Sequence, residues 1–233
     1  MQGGMGNRGG FEMQRLLLCF IIVLLFAILN SNIALAQALS GIGLESIWKP
    51  GDEKIMQMRE ECAKNIYPAF EKCLIEKMQE YGASPKALEF TQLLMKEEYP
   101  FCFMSSFRNM GTVDIAEVSC PFMANTMGFT LLVNGDPRIV QPGKQEYLNS
   151  IDISYDPLFP SIIKKFPKAT LWFRGNFVKM DNTSRNGQRF IWKHLVMNGC
   201  SACEVAGSAT VAYDFDKTGR FAGTKLLMLK VGE

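Results

Sequence analysis

Four long runs dominate the second half of the chain and leave it few folds to choose from: Ala169 to Met180, Gln188 to Met197, Val205 to Phe215 and Phe221 to Val231. Each reads as a strand, and turn formers separate them: Asn186-Gly187, Asn198-Gly199 with a cysteine pair, and Asp216 to Gly219. Parallel neighbours need a crossover of a dozen or more residues, so connections this short predict an antiparallel meander. Strands of this length exceed the usual five or six residues or so, and in a small sheet they coil through their right-handed twist. Leu171, Phe173 and Phe177 share one face, as do Val205, Val211, Tyr213 and Phe215, and these faces are expected to meet helices. Trp172, Val178, Ala206, Ala212, Leu226 and Met228 fall on the opposite face, which is therefore expected to be partly covered too.

Upstream the period is helical. Ile55, Met58, Cys62, Ile66, Phe70, Cys73, Leu74 and Met78 recur at helical spacing, interrupted at Pro68, which lacks a backbone donor. Ser84-Pro85 then opens another helix with a capping residue and a proline at the first helical position, and Leu88, Leu94 and Met95 face inward until Tyr99-Pro100. Residues 52–99 are thus helical and 113–231 mainly β. Val113 to Ser119, Gly128 to Val133 and Arg138 to Gln141 read as short strands, with a turn at Asn134-Gly135. Pro157 and Pro160 limit any helix nearby to a piece such as Ser161 to Phe166. The expected class is α+β, with N-terminal helices packed on a curved antiparallel meander. Cone-shaped folds of the nuclear-transport-factor-2 type and cystatin-like grips are similar in layout, a likeness of topology that carries no function.

The apolar run from Leu16 to Leu29 follows Arg15 and precedes Ala34-Leu35-Ala36. Its length suits a secretory signal better than a membrane span of about 20 residues, and Asn30, Ser31 and Asn32 interrupt it. Residues 1–36 are therefore expected to be a signal peptide, with Met13 as an alternative start and Ala38 as an alternative cleavage point. Residues 37–233 would then form a single exported domain of about 200 residues. An uncleaved leader tethering the chain to a membrane is the competing expectation. The compartment is the periplasm for a bacterial protein and the secreted fluid otherwise.

Of seven cysteines, Cys19 leaves with the leader, and Cys62, Cys73, Cys102, Cys120, Cys200 and Cys203 remain. An even count in an exported chain favours disulfides. Cys200 and Cys203 can close a small ring locally. Cys62 and Cys73 would lie about 16 Å apart along one unbroken helix, so pairing them requires a break near Pro68. The four cysteines outside the local pair are expected to form two staples between the helical and the sheet-like parts.

A net charge of +2, with no polybasic block, excludes a nucleic-acid binder. Lys164, Lys165 and Lys168 are the densest basic group and read as a solvated helix end. Cys200-Ser201-Ala202-Cys203 has redox spacing, but it precedes a strand rather than opening a helix, so the dipole that activates thioredoxin-type cysteines is missing. Glu204 stands where covalent haem attachment needs histidine. The lone histidine, His194, reads as a core residue or a pocket base, and no nucleophile elbow accompanies it. One histidine cannot supply the paired ligands of common catalytic zinc sites. Asp214 to Gly219 begins like a calcium loop, yet Lys225 occupies the position where a bidentate glutamate belongs, which favours a hairpin turn. Met56 and Met58, two apart on a helix, face different sides and cannot share a copper ion. Asn182-Thr183-Ser184 matches a glycosylation acceptor and reads equally as a turn.

The expected function is that of a non-catalytic exported protein that binds a small ligand or an envelope protein on a concave sheet. Trp172, Phe190, Trp192 and His194 are its candidate binding residues, with no cofactor and no metal. Two other readings compete: a thiol–disulfide exchange protein using Cys200 and Cys203, and an envelope assembly subunit tethered by its leader.

Overall fold

In the computed structural model the chain divides into Met1–Gly41 and Ile42–Glu233. The structure describes residues 41–62, 64, 69–122, 127–200 and 202–232. The expected signal segment and the break at Pro68 lie outside the described residues.

The second unit is α+β, N-terminal helices followed by antiparallel meanders. Helices α1 (Asp52–Cys62), α2 (Ala69–Glu80) and α3 (Pro85–Lys96) come first. Ser84 caps α3 as its sequence predicts: its Oγ accepts from the Ala87 N–H at 3.0 Å. Strands β1 (Phe103–Arg108), β2 (Asp114–Cys120), β3 (Met127–Val133) and β4 (Ile139–Val140) form one sheet in sequence order. Two short helices follow, α4 (Gln145–Asn149) and α5 (Phe159–Lys165). Strands β5 (Ala169–Asn182), β6 (Gln188–Asn198), β7 (Val205–Phe215) and β8 (Phe221–Val231) form the second sheet, again in sequence order. The last two strands keep the bounds that their sequence predicts.

The helices of the first part do not reach the long strands. Both faces of the first sheet contribute apolar residues to a core, so it is a middle layer. Ala116, Val118, Leu131 and Val133 turn towards Phe90 and Leu94 of α3 and the segment near Ile42, whereas Val113, Ile115, Leu132 and Val140 turn towards the second sheet. The inner face of the long strands, with Leu171, Trp192, Val211, Tyr213 and Phe215, is shared between that first sheet and Leu148, Ile162 and Phe166 of the region around α4 and α5. A third cluster, with Met58, Phe70, Leu74, Met78 and Trp48, joins the helices to Phe103.

Four face assignments differ from expectation, among them Ala206, expected outside and buried in the inner core. Phe173 and Val205, expected inside, are 44% and 48% exposed. Around Phe173 the cause is a bulge: Leu171 pairs with Val196 but Gly175 pairs with His194, so β5 carries extra residues there and strict alternation is lost. Leu226, expected outside, packs against the inner core, while Val178 and Met228 on the outer side are 53% and 43% exposed. β1 and α4 escaped prediction because β1 carries two central serines and a bulge between Met104 and Ser106, and α4 is barely one turn long.

Three disulfides are present: Cys62–Cys73, Cys102–Cys120 and Cys200–Cys203. The expected staples between helical and sheet parts are corrected: one bond joins the end of α1 to α2, and the second clasps the residue before β1 to the end of β2. Local adjacency explains both, since α1 and α2 are separate helices and β1 and β2 are hydrogen-bonded neighbours.

Candidate functional site: a cleft between two sheets

The two sheets are stitched together at one end and part at the other. At the stitched end the buried Gln188 side chain spans both. Its Oε1 accepts from the Val113 N–H at 2.7 Å, and its Nε2 donates to the carbonyls of Met110 and Val113 at 2.9 and 3.0 Å. The backbone of Asp136 adds two bonds, donating to Gly219 and accepting from Phe221, both at 2.8 Å.

Along β2 the inward face reads Val113, Ile115, Glu117, Ser119, and along β3 it reads Leu132, Thr130, Gly128. Apolar residues give way to polar ones halfway along both strands. Burying the polar half against the second sheet would strip water from groups with too few partners, so the sheets separate there. The result is a cleft of about 900 Å³. Glu117, Ser119, Thr130 and Ser105 line one side, Phe173, Gly175 and Asn176 of β5 the other, with Trp192 in the floor and Gln141-Pro142 at one end. Both bulged strands contribute: Ser105 is the extra residue of β1, and its hydroxyl donates to the Glu117 carbonyl at 3.1 Å.

Glu117 is held rather than free. Its Oε2 accepts from the Thr130 hydroxyl at 2.8 Å, and its Oε1 accepts from Arg108 at 3.2 Å. The Arg108 guanidinium in turn lies over the Phe177 ring, 5.0 Å from its centroid, linking the first sheet to β5. A fixed carboxylate beside three hydroxyls and two carboxamides presents hydrogen-bonding groups in defined directions at little entropic cost.

Behind the floor sits His194, fully buried. It pairs across the ladder with Gly175, where a Cβ would meet the imidazole Nδ1 at 2.6 Å, so only glycine admits the ring. Its Nε2 lies 3.0 Å from the Tyr213 hydroxyl, which accepts from the Gly143 N–H at 3.1 Å. The Tyr213 hydroxyl thus joins Gly143 to Nε2, while the buried Nδ1 has no hydrogen-bond partner among the described residues. Burial pushes the His194 pKa down to about 4, opposed by the Trp172 backbone. Burial also raises the Tyr213 hydroxyl. Gly143 directly follows Gln141-Pro142, so this buried relay anchors the segment that closes one end of the cleft.

Of the candidate binding residues, Trp192 borders the cleft floor but is itself buried, its ring tilted against Phe177 with centroids 5.0 Å apart. His194 supports that floor from behind. Phe190 is buried in the core, edge-on to Phe215 at 5.8 Å. Trp172 sits in the β5 bulge, half-buried against Phe173, with its indole nitrogen unpartnered. Sequence reasoning missed Glu117, Ser105, Thr130, Gln141 and Asn176. The readable signal was the polarity change on a single face of β2 and β3.

The other chemical candidates are accounted for locally. Asp216 Oδ1 accepts from the Thr218 N–H, the Thr218 hydroxyl and the Arg220 N–H, so its carboxylate serves the β7–β8 turn. Met58 is buried while Met56 is exposed, on different sides of α1. Thr183 accepts from Gly187 at 2.9 Å within the β5–β6 turn. Among the described residues, no group of three or more metal-capable side chains converges, and no helix is long and apolar enough to cross a membrane. No family model, no curated protein and no solved structure matches the chain.

Proposed function

We propose that this is an exported, disulfide-stapled binding protein whose ligand occupies the cleft between the two sheets. The observation that carries the reading is the cleft itself, with the exposed Phe173 ring on one wall and an organised polar side built on Glu117. Its size falls within the range of roughly 300–1,000 Å³ common for small-ligand sites. The fitting ligand is a small molecule or peptide end with one flat apolar face for Phe173 and with hydroxyl or amino groups for Glu117, Thr130 and Asn176. The three disulfides support export, because such bonds persist in oxidising compartments.

The test is saturation-transfer NMR on the purified chain with a panel of monosaccharides, disaccharides and dipeptides, repeated on Glu117→Gln and Phe173→Ala. Binding by a panel member that weakens about tenfold or more in either variant supports the cleft, since a hydrogen bond to a charged group contributes about 1.5–3 kcal/mol. Binding unaltered by both variants, or no binding at all, removes this reading. Amino-terminal sequencing of the exported protein decides between a cleaved leader and a tether: a start near Gln37 or Leu39 supports the first, and an intact Met1 or Met13 the second.

A further inference from the structure

We propose that the Cys200–Cys203 disulfide, at the tip of the β6–β7 hairpin, is a reversible redox couple that exchanges with a dithiol of a partner protein. Three observations carry this independently of the cleft. First, Cys200 is the only exposed cysteine among the six in disulfides; Cys62, Cys102 and Cys120 are buried, and Cys73 and Cys203 are half-covered. Cys200 is therefore the cysteine of the three disulfides most open to an incoming thiolate.

Second, the turn is held without its sulfur bond. The Asn198 N–H donates to the Glu204 carbonyl at 3.0 Å, the Cys203 N–H donates to the Cys200 carbonyl at 3.2 Å, and the Asn198 side chain reaches Glu204 Oε2 at 3.3 Å. Opening the disulfide leaves these bonds in place, so the two thiols stay adjacent and can close again.

Third, a lysine stem packs beside the turn that carries the pair. The Lys168 N–H donates to Asn198 Oδ1 at 3.1 Å, and the Lys168 stem lies so close to Gly199 that an added Cβ would meet Lys168 Cβ at 3.1 Å and Cδ at 3.3 Å. Gly199 has φ +88°, which favours glycine and admits this approach. Among the described residues no ion pair engages Lys168. Its stem packs on the residue before Cys200, and in this proposal its ammonium, set against the Glu204 carboxylate held by Asn198, supplies the positive field that a helix N-terminus gives thioredoxin-type pairs.

The exchange balances as follows. A partner thiolate attacks Cys200 Sγ, the Cys200–Cys203 bond breaks, and its electron pair leaves on Cys203 Sγ, which takes up a proton. The second partner thiol, losing its proton, attacks its own mixed-disulfide sulfur and expels the Cys200 thiolate, which Lys168 stabilises. The partner ends oxidised and Cys200 and Cys203 reduced, two electrons having moved; the reverse sequence oxidises them again.

The experiment equilibrates the full chain in glutathione buffers of increasing reduced fraction, quenches with a maleimide and maps the labelled cysteines by mass spectrometry. The expected result is opening of Cys200–Cys203 in buffers that leave both other disulfides closed, closure on return to oxidised glutathione, and an unchanged far-UV circular dichroism spectrum. In the reduced form, Lys168→Gln is expected to slow maleimide reaction at Cys200 about 3- to 10-fold at neutral pH and to move its pH profile upward, with Lys168→Arg restoring both. A pair that opens only together with the buried disulfides, or a pH profile that Lys168→Gln does not move, overturns the proposal and leaves a structural clip.

Discussion

At the scale of single residues, His194 makes the sharpest commitment. Its neutral form is built in behind the floor of the cleft, and burial holds its pKa near 4 against an ordinary value of 6.5. Below pH 6.5 the unfolded chain binds a proton that the native state refuses, so stability falls as pH drops from 6.5 towards 4 and is fully present above that window. The expected loss is about 3 kcal/mol, read as a falling urea midpoint between pH 7 and pH 4. In His194→Gln that component of the slope should vanish, whatever the variant's overall stability. Gly175 is the complementary test. Gly175→Ala drives a methyl into the imidazole, and a cost of about 1–3 kcal/mol in chemical denaturation is expected at neutral pH.

At the scale of elements, the polar stitch between the sheets matters more than any single strand. Gln188→Leu keeps the side-chain bulk but strands the buried Val113 N–H, and a loss of about 1–3 kcal/mol follows for the unmet donor. Hydrogen exchange is the measurement that locates the damage: protection should drop at Met110–Asp114 and at the start of β6 before it drops in β3. The helix pair responds differently. Ser84→Ala removes both the cap bond from Ala87 and the hydroxyl's bond to the Glu45 carbonyl and is expected to lower stability by about 1–2 kcal/mol, visible as a shift in the thermal midpoint. The long strands were legible because their turns carry Asn-Gly and Asp-rich chemistry, and Asn186 indeed takes φ 58° where the backbone must reverse. β1 was not legible, since its bulge at Ser105 breaks the alternation on which strand recognition depends.

At the scale of the whole molecule, three covalent clasps act within layers rather than between them. Breaking Cys102–Cys120 by a double substitution to alanine releases a loop of separation 18 and should cost about 3 kcal/mol, whereas opening Cys200–Cys203, of separation 3, should cost distinctly less. Comparing the two double variants by chemical denaturation checks the ordering. The layers themselves are held by side chains: the Gln188 stitch, the apolar contact of Val113, Ile115 and Leu132 with the long strands, and the Arg108–Phe177 stack. Nearest-neighbour chemistry wrote the α+β class, the capped helix, the four long strands and the local cysteine ring into the chain, because periodicity, caps and turns act over a few residues. Which cysteines pair, which layer the helices cover, and that Glu117 and Trp192 meet across a cleft came from the folded state alone. These depend on contacts between residues 11 to about 75 apart, where burial and polar satisfaction across the entire core, rather than any local preference, select the partner.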